Sequence, residues 1–320
     1  MDKESKKSKN RNLTTIQDFT SNEIWEIFKF AKKLKKLQKI GKPRELLKGK
    51  TLAMIFQKPS TRTRVSFEVG MTQLGGHALY LNANDLQLGR GETIKDTAMV
   101  LSRYADGIMA RVFSHKDIED LAKYSSVPVI NGLSNKFHPC QALTDIFTIW
   151  ERVGKCLEVQ PLNIVIAFVG DGDNNVTNSL LLLCTRLGIN FRVGSPKKYQ
   201  IKPEILKMVE KDIKKTGAKI EIFNDPFEAV RNVDIIYTDT WVSMGRKDEK
   251  ERIKVLTPYQ VNKKLLLQAK KNVMVMHCLP AHRGQEITDE VMDGPNSIIL
   301  DQAENRLHVQ KAILMKLLNG

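Results

Sequence analysis

The chain has 320 residues, which is enough for two domains that each bury a core. A hydrophobic fraction of 42% can fill both cores, yet no apolar run is long enough to span a bilayer. The first twelve residues are polar and basic, without the apolar segment of a secretory signal. The cysteines at positions 140, 156, 184 and 278 lack the close spacing of metal or redox motifs. These features predict a cytoplasmic protein with no membrane partner.

The net charge of +15 is unevenly distributed, because residues 1–50 carry nine of these fifteen charges. Within the segment 21–40, apolar residues at helical spacing alternate with Lys32, Lys33, Lys35, Lys36 and Lys39. Such a run is usually the solvated face of a helix. The positive charge is compatible with an anionic partner, but no aromatic-basic module accompanies it, which argues against nucleic acid.

Strand-like and helix-like segments alternate along the rest of the chain. The first series is strand 51–56, helix 61–74, strand 77–82, helix 93–104, strand 107–112, helix 116–124, strand 127–131 and helix 139–153. After a break at 154–161 come strand 162–169, helix 176–187, strand 189–194, helix 203–215, strand 218–223, helix 226–232, strand 234–238, helix 261–270, strand 272–276, strand 297–300 and helix 302–318. This alternation predicts an α/β fold with two doubly wound parallel-sheet domains.

The segment 60–64, Ser-Thr-Arg-Thr-Arg, follows the first strand and opens a helix. A helix N-terminus offers free N–H groups and the positive end of the helix dipole. Hydroxyl groups and guanidinium groups on the same turn suit phosphate oxygens. An ordinary capped helix with surface arginines is the alternative. Three hydroxyls interleaved with two arginines favour a phosphate site at the carboxyl edge of the sheet, where such folds bind ligands.

Two further motifs carry a histidine and a cysteine. His138 and Gln141 lie three residues apart at a helix start, so both can address one small polar group. A structural histidine would explain His138 alone equally well. Cys278 follows the strand 272–276 and could act as a nucleophile, as a buried thiol or as a substrate contact. We favour contact with the substrate over covalent catalysis.

The motifs of the second half favour an amino-acid-like ligand. Asp239 ends one strand, and the amides of Asn174 and Asn175 follow another. A turn-forming aspartate is the alternative for Asp239. The segment 170–172, Gly-Asp-Gly, suggests a dinucleotide site, but Asn175 occupies the place of the third glycine and no acidic residue lies near position 191. A nicotinamide cofactor is therefore not expected.

Together these motifs resemble the aspartate/ornithine carbamoyltransferase family over nearly the whole chain, from about residue 13. STRTR and HPCQ match the carbamoyl-phosphate signature, whereas DTWVSMG and HCLPA are similar to the ornithine branch. The resemblance implies carbamoyl transfer from carbamoyl phosphate to the δ-amine of L-ornithine in a cleft between two domains. Residues 1–153 would bind carbamoyl phosphate, with the helix 302–320 packed back on them, and residues 154–301 would bind ornithine.

The resemblance also assigns residues to the two substrates. Carbamoyl phosphate would be bound by Ser60, Thr61, Arg62, Thr63, Arg111, His138, Gln141, Cys278, Leu279 and Arg306, and by Gln87 from a neighbouring subunit. Arg111, His138 and Cys278 would be catalytic. Ornithine would be bound by Leu133, Asn175, Asp239, Ser243 and Met244. No metal or cofactor is implied. The expected assembly is a homotrimer or a set of trimers.

Two questions stay open at this stage. GDGDNN is one residue longer than the GDGNN form of some relatives, so Asn174 competes with Asn175 as the ornithine ligand. Putrescine carbamoyltransferase is the alternative activity, because it would share the phosphate half of the site. The set of Asp239, Ser243 and Met244, which should engage a zwitterionic amino acid, argues against it. Arginine biosynthesis is the expected pathway, although the sequence does not exclude the catabolic direction.

Overall fold

The computed structural model describes residues 11–42, 44–153, 163–242 and 248–319. Their strands form two sheets in which all neighbours are parallel. The first sheet, in the order β2-β1-β3-β4, contains β1 (Thr51–Phe56), β2 (His77–Asn82), β3 (Gly107–Arg111) and β4 (Val129–Leu133). The second, in the order β7-β6-β5-β8-β9, contains β5 (Val165–Val169), β6 (Asn190–Gly194), β7 (Ile220–Phe223), β8 (Ile235–Thr238) and β9 (Met274–His277). The predicted α/β fold with two parallel sheets is confirmed.

Each sheet has one point where the direction of winding reverses. The chain passes from β1 to β2 on one side, then returns to β3 and β4 on the other. In the second sheet it passes from β5 to β6 and β7, then returns to β8 and β9. Ligands of open parallel sheets bind outside the carboxyl ends of the strands at such switch points. The topology therefore predicts that a ligand binds near the residues that follow β1, β3, β5 and β8.

Helices connect and cover the strands. They are α1 (Ser21–Lys39), α2 (Thr61–Gln73), α3 (Ile94–Leu101), α4 (His115–Tyr124), α5 (Pro139–Val153), α6 (Asn175–Leu187), α7 (Pro203–Thr216), α8 (Pro226–Ala229), α9 (Glu249–Leu256), α10 (Lys263–Leu266), α11 (Asp289–Met292) and α12 (Ile299–Leu318). Across the described ranges, no helix has both the length and the apolar character needed to cross a membrane.

The last helix belongs spatially to the first half of the chain. α12 packs against α1, α2 and α5, and it also approaches β9 of the second sheet. α5 packs against α6, which joins the two halves, and one apolar core runs through both. Because α12 crosses this junction, its polar residues can reach groups from either sheet.

The predicted strand at 297–300 is wrong. Ser297 makes a single parallel bridge to Val275, and the apolar residues after it begin α12 at Ile299. This short run has strand-like composition, but packing of an apolar face decides whether a helix forms. The helix predicted at 261–270 is reduced to the single turn of α10, and α9 has no counterpart among the predicted elements.

Two local details also differ from the prediction. The strand expected at 127–131 lies two residues later, as β4, because Pro128 has no N–H to donate to a ladder. Lys35, expected on a solvated helix face, is buried. Its Nζ donates to Glu151 Oε2 at 2.8 Å and to Asn305 Oδ1 at 2.6 Å. A paired acceptor set explains how this ammonium group can leave water.

Candidate active site

Residues after the carboxyl ends of both sheets line one cavity of about 760 Å³. A cavity of this size is typical of small-molecule sites. It brings together thirteen of the residues predicted for the site, namely Ser60, Thr61, Arg62, Thr63, Arg111, Leu133, His138, Gln141, Asn175, Asp239, Cys278, Leu279 and Arg306.

The N-terminus of α2 forms one wall of this cavity. Ser60 is the N-cap, and its Oγ accepts from the Thr63 N–H at 3.3 Å and donates to Thr63 Oγ1 at 3.1 Å. Capping by Ser60 fixes the first turn, whose remaining N–H groups have no partner within the helix. Thr61 and Arg62 line the cavity on this turn. The wall is therefore suited to an anion.

Three arginines converge beside this turn. Arg306 on α12 donates from Nη1 to Gln141 Oε1 at 2.6 Å and from Nη2 to Thr63 Oγ1 at 3.2 Å. Burial, followed by the charges of Arg306 and Arg62, lowers the pKa of Arg111 to about 10. Among the described residues, the buried Nε atoms of Arg111 and Arg306 have no hydrogen-bond partner. Three guanidinium groups whose donors converge on one side of the cavity favour a negative ligand.

His138 is held beside the arginines as a neutral imidazole. Its backbone N–H donates to Ser179 Oγ at 2.7 Å, which fixes the start of α5 against α6. Burial, followed by the charges of Arg306, Arg111 and Arg62, places the pKa of His138 well below its ordinary value. In the part of the chain that the structure describes, the buried Nδ1 atom has no hydrogen-bond partner. A neutral imidazole can donate one hydrogen bond and accept another without adding charge.

Cys278 and Asp239 form a pair on the opposite wall. The Cys278 Sγ donates to Asp239 Oδ1 at 2.9 Å, and the same oxygen accepts from the Thr240 N–H at 2.8 Å. Burial and the neighbouring carboxylate raise the pKa of Cys278 well above its ordinary value. The thiol is therefore protonated at neutral pH, whereas nucleophilic attack needs a thiolate. This agrees with the preference for a substrate contact over covalent catalysis.

Asp239, His277 and Cys278 also offer three metal-ligating atoms within 4.8 Å of one another. Both ring nitrogens of His277 are already engaged. Nδ1 accepts from the Leu279 N–H at 2.8 Å, and Nε2 lies 3.1 Å from Glu286 Oε1. A metal ion would have to break one of these contacts. The geometry favours a hydrogen-bonded acid–thiol pair at this wall.

Two neighbouring asparagines after β5 play different parts. Asn174 is the N-cap of α6, and its Oδ1 accepts from the N–H groups of Val176 and Thr177, both at 2.8 Å. Its Nδ2 donates to the Asp171 carbonyl at 2.9 Å, so the whole amide serves the local fold. Asn175 Nδ2 donates to the Ser134 carbonyl at 2.7 Å. Both residues line the cavity, and the Asn175 amide keeps its oxygen outside the capping network.

A buried carboxyl group links the walls from behind. Asp145 Oδ1 accepts from Gln141 Nε2 at 2.8 Å and from Gln302 Nε2 at 2.7 Å. Gln302 Oε1 in turn accepts from the His277 N–H at 3.1 Å. Burial raises the pKa of Asp145 to about 7. This chain of contacts joins α5, α12 and β9, and it orients Gln141 toward the arginines.

Three further residues were predicted for the site. Gln87 is exposed on a 3-10 turn, Gln87–Arg90, away from the cavity. Ser243 and Met244 lie outside the described residues. Lys58, in contrast, lines the cavity although only the motif after it was expected to. Burial and the charge of Arg111 lower the pKa of Lys58.

An arginine cluster that faces a carboxylate–thiol pair across one cavity indicates an enzyme with an anionic substrate. Comparison with known proteins narrows this class. Two protein-family models match the sequence. The carbamoyl-P binding domain of aspartate/ornithine carbamoyltransferases matches residues 11–151, and the Asp/Orn binding domain of the same family matches residues 162–317. The chain belongs to the aspartate/ornithine carbamoyltransferase family.

Individual relatives cover almost the full chain. An ornithine carbamoyltransferase of Pyrococcus abyssi is 59% identical over 98% of this chain and 97% of its own length. An anabolic ornithine carbamoyltransferase of Pyrococcus furiosus is 58% identical over 97% of each chain. A solved structure of the Pyrococcus furiosus ornithine carbamoyltransferase has a TM-score of 0.92 at 57% identity, covering 97% of this chain and 98% of the other.

Proposed function

We propose that this enzyme transfers the carbamoyl group of carbamoyl phosphate to the δ-amine of L-ornithine, giving L-citrulline and phosphate. One observation carries the proposal. The arginine cluster at the start of α2 and the Cys278–Asp239 pair line the same cavity, so an anionic carbamoyl donor and an amine can meet there. The names of the relatives from two Pyrococcus species support the same reaction.

The phosphate of the donor binds at α2. Ser60, Thr61, Arg62 and Thr63 contribute hydroxyl, backbone and guanidinium donors, and Arg111 supplies a further guanidinium group. The carbamoyl group lies beyond it, with its oxygen toward Arg111 and His138. Around this group lie Thr63, Gln141, Cys278, the backbone of Leu279 and Arg306. The Nε atoms of Arg111 and Arg306, without partners in the described ranges, support these roles, since buried polar atoms normally have acceptors.

The chemistry is direct attack by the amine. The nitrogen forms a bond to the carbamoyl carbon, and negative charge develops on the carbamoyl oxygen, where Arg111 and the neutral His138 donate hydrogen bonds. The bond from carbon to the phosphate oxygen then breaks, and the phosphate leaves with the electron pair. The proton that the nitrogen gives up passes to the departing phosphate. Deprotonating a lysine-like amine of pKa near 10.4 at pH 7 costs about 4.6 kcal/mol. kcat/KM for ornithine should therefore rise with pH through neutrality.

Ornithine binds against the second sheet. Asn175, Asp239, Ser243 and Met244 hold the α-amino-acid end of ornithine, with the backbone of Leu133 nearby. Asp239 pairs there with an ammonium group. The capping bonds of Asn174 favour Asn175 in this role. The Leu133 carbonyl accepts from the Val112 N–H at 2.9 Å and keeps one lone pair for a ligand.

Steady-state assays with ornithine, putrescine, aspartate and N-acetylornithine test the assignment. Ornithine should give the highest kcat/KM. Putrescine has the reacting amine and a second ammonium group but lacks the α-carboxylate. It therefore reports whether the wall of Cys278 and Asp239 recognises an amino acid. A higher kcat/KM for putrescine than for ornithine would transfer the assignment to putrescine carbamoyltransferase.

The remaining expectations concern domains, assembly and pathway. Residues 1–153, with the helix 302–320, bind carbamoyl phosphate, and residues 154–301 bind ornithine. The enzyme works in the cytoplasm, in arginine biosynthesis, as a homotrimer or an assembly of trimers in which Gln87 completes the phosphate site of a neighbouring subunit. The exposed position of Gln87 away from its own cavity supports a role in trans. The word anabolic in the name of the Pyrococcus furiosus relative supports the biosynthetic direction.

A further inference from the structure

A buried carboxylate lies behind the wall that carries Cys278. The side chains of Glu286 and His277 are both 0% exposed. Glu286 Oε1 accepts from the His282 N–H at 2.5 Å and lies 3.1 Å from His277 Nε2. The backbone of Glu286 is itself anchored, because its carbonyl accepts from the Val261 N–H at 2.9 Å. One fixed oxygen thus holds both ends of the segment 277–282.

The hydrogen bonds of His277 define which ring nitrogen carries its proton. Nδ1 accepts from the Leu279 N–H at 2.8 Å. A backbone amide can only donate, so Nδ1 is unprotonated and the proton of the neutral ring is on Nε2. The Nε2–H group then donates to Glu286 Oε1, which lies 3.1 Å away. The carboxylate therefore selects the tautomer that leaves Nδ1 free to accept.

The bond from Leu279 matters because its backbone is unusual. Leu279 has a φ of 61°, in the left-handed region that a leucine adopts only at a cost in free energy. An acceptor for its N–H compensates part of that cost. The turn places the Cys278 thiol 2.9 Å from Asp239 and brings Leu279 to the cavity. Loss of the acceptor would release both groups from this arrangement.

We propose that Glu286 is a positioning residue for carbamoyl transfer. By keeping the proton on His277 Nε2, it preserves Nδ1 as the acceptor that holds the turn at Leu279. The Cys278 thiol and the Leu279 carbonyl are thereby aligned with the carbamoyl group. This inference rests on the proposed placement of carbamoyl phosphate in the cavity. It extends that proposal to two residues, Glu286 and His277, that do not themselves touch the substrate.

Substitutions at His277 and Glu286 separate the two hydrogen bonds. His277→Asn places an amide oxygen near the position of Nδ1 and keeps an acceptor for the Leu279 N–H, whereas His277→Gln reaches toward Glu286 and leaves that N–H without one. Glu286→Gln keeps one side-chain oxygen that can accept from His277 Nε2 and from the His282 N–H. Its amide nitrogen takes the place of Oε2, which makes no hydrogen bond to any described residue. Glu286→Leu removes both acceptors. Each conservative change is thus the matched control for a disruptive one.

We expect Glu286→Leu and His277→Gln to lose about 100-fold in kcat, the typical result of a displacement of about 1 Å at a reacting group. The affinity for inorganic phosphate, measured by calorimetry without ornithine, should be unchanged in both. Glu286→Gln and His277→Asn should retain most of kcat. If kcat and phosphate affinity fall together with the melting temperature in every variant, Glu286 is merely structural and the inference is overturned.

Neutron diffraction of the unsubstituted enzyme provides a test that needs no variant to fold. Deuterium should occupy Nε2 of His277 and be absent from Nδ1. Deuterium on Nδ1 would overturn the inference, because the Leu279 N–H could not then donate to that atom. Failure of the proposed function gives a different result, namely an unsubstituted enzyme that does not form citrulline. Normal citrulline formation with normal kcat in folded Glu286→Leu would refute only the positioning role.

Discussion

The two walls of the cavity differ in what they offer a ligand. The wall at α2 is rich in donors that lack acceptors among the described residues, including the Nε atoms of Arg111 and Arg306. The opposite wall already contains a satisfied pair, in which the Cys278 thiol donates to Asp239. An anion would supply the acceptors that the donor-rich wall lacks. At the opposite wall, the Asp239 carboxylate can accept from an ammonium group in place of the thiol. The difference predicts that one wall recognises phosphate and the other selects the amine.

The largest expected effect comes from the donor-rich wall. Arg62→Leu removes a charged donor from the start of α2, and loss of one preorganised donor typically lowers kcat by roughly 10²–10³-fold. Steady-state kinetics over both substrates measure the loss. Arg64→Leu is the matched control on the same helix, because Arg64 is exposed and its Nε donates to Glu68 at 3.1 Å. Near-normal kinetics for folded Arg62→Leu would remove Arg62 from the phosphate site.

A smaller effect, confined to the amine, is expected at the second wall. Asp239→Asn keeps the shape but removes the charge that pairs with ornithine, and a hydrogen bond to a charged group contributes about 1.5–3 kcal/mol. KM for ornithine should rise about 10- to 100-fold on this basis. Binding of carbamoyl phosphate, measured alone, should be unchanged.

Asp173→Asn is the control for this change. Asp173 lines the same cavity, but its carboxylate lies 3.2 Å from Lys202 Nζ. Both substrate constants should stay within about twofold, as for ordinary polar substitutions. Equal losses for ornithine and carbamoyl phosphate in Asp239→Asn would show that Asp239 supports the fold of the whole cavity, and the contrast between the walls would fail.

The sequence predicts the donor-rich wall well because its chemistry is local. Ser60 caps the helix on which Arg62 lies, so five adjacent residues contain the hydroxyls, the guanidinium groups and the helix start. The strand ends were also predictable, since apolar runs followed by polar motifs mark them. The N-cap role of Asn174 was accessible too, because asparagine is favoured at the position just before a helix.

Contacts between distant residues could not be predicted in this way. Gln302 donates to Asp145 across 157 positions of sequence, and Lys35 meets Asn305 across 270. No local pattern distinguishes a lysine that will face water from one that will meet a buried amide on another helix. The strand wrongly expected at 297–300 has the same origin, because packing of α12 against three other helices decides its conformation.

The third prediction asks whether the donor-rich wall is complete within one subunit. Inactive Gln87→Ala and inactive Arg306→Ala chains are mixed in equal amounts, dissociated and allowed to reassociate. If Gln87 acts on the neighbouring site of a cyclic trimer, roughly a quarter of the sites should contain both intact residues and regain activity. If both residues act within one chain, the mixture stays inactive. Each variant reassociated alone is the control.

The smallest expected effect on catalysis lies at Asp145, which joins the two walls and should act mainly on stability. Its pKa is raised to about 7 in the folded protein, against about 3.9 in an unfolded chain. The stability that Asp145 contributes is therefore fully present below about pH 4 and is lost as the pH rises to about 7. In Asp145→Asn the side chain would stay neutral throughout, and its amide oxygen could still accept from Gln141 and Gln302.

The melting temperature of Asp145→Asn, relative to the unsubstituted enzyme, should therefore increase between about pH 4 and pH 7 and be constant above it. Both proteins are compared at one concentration, because assembly also changes the melting temperature. A difference that does not vary with pH would mean that Asp145 has the same charge in both states. Burial of the Asp145 carboxylate would then carry no cost in free energy, and Asp145 would connect the two walls through its hydrogen bonds alone.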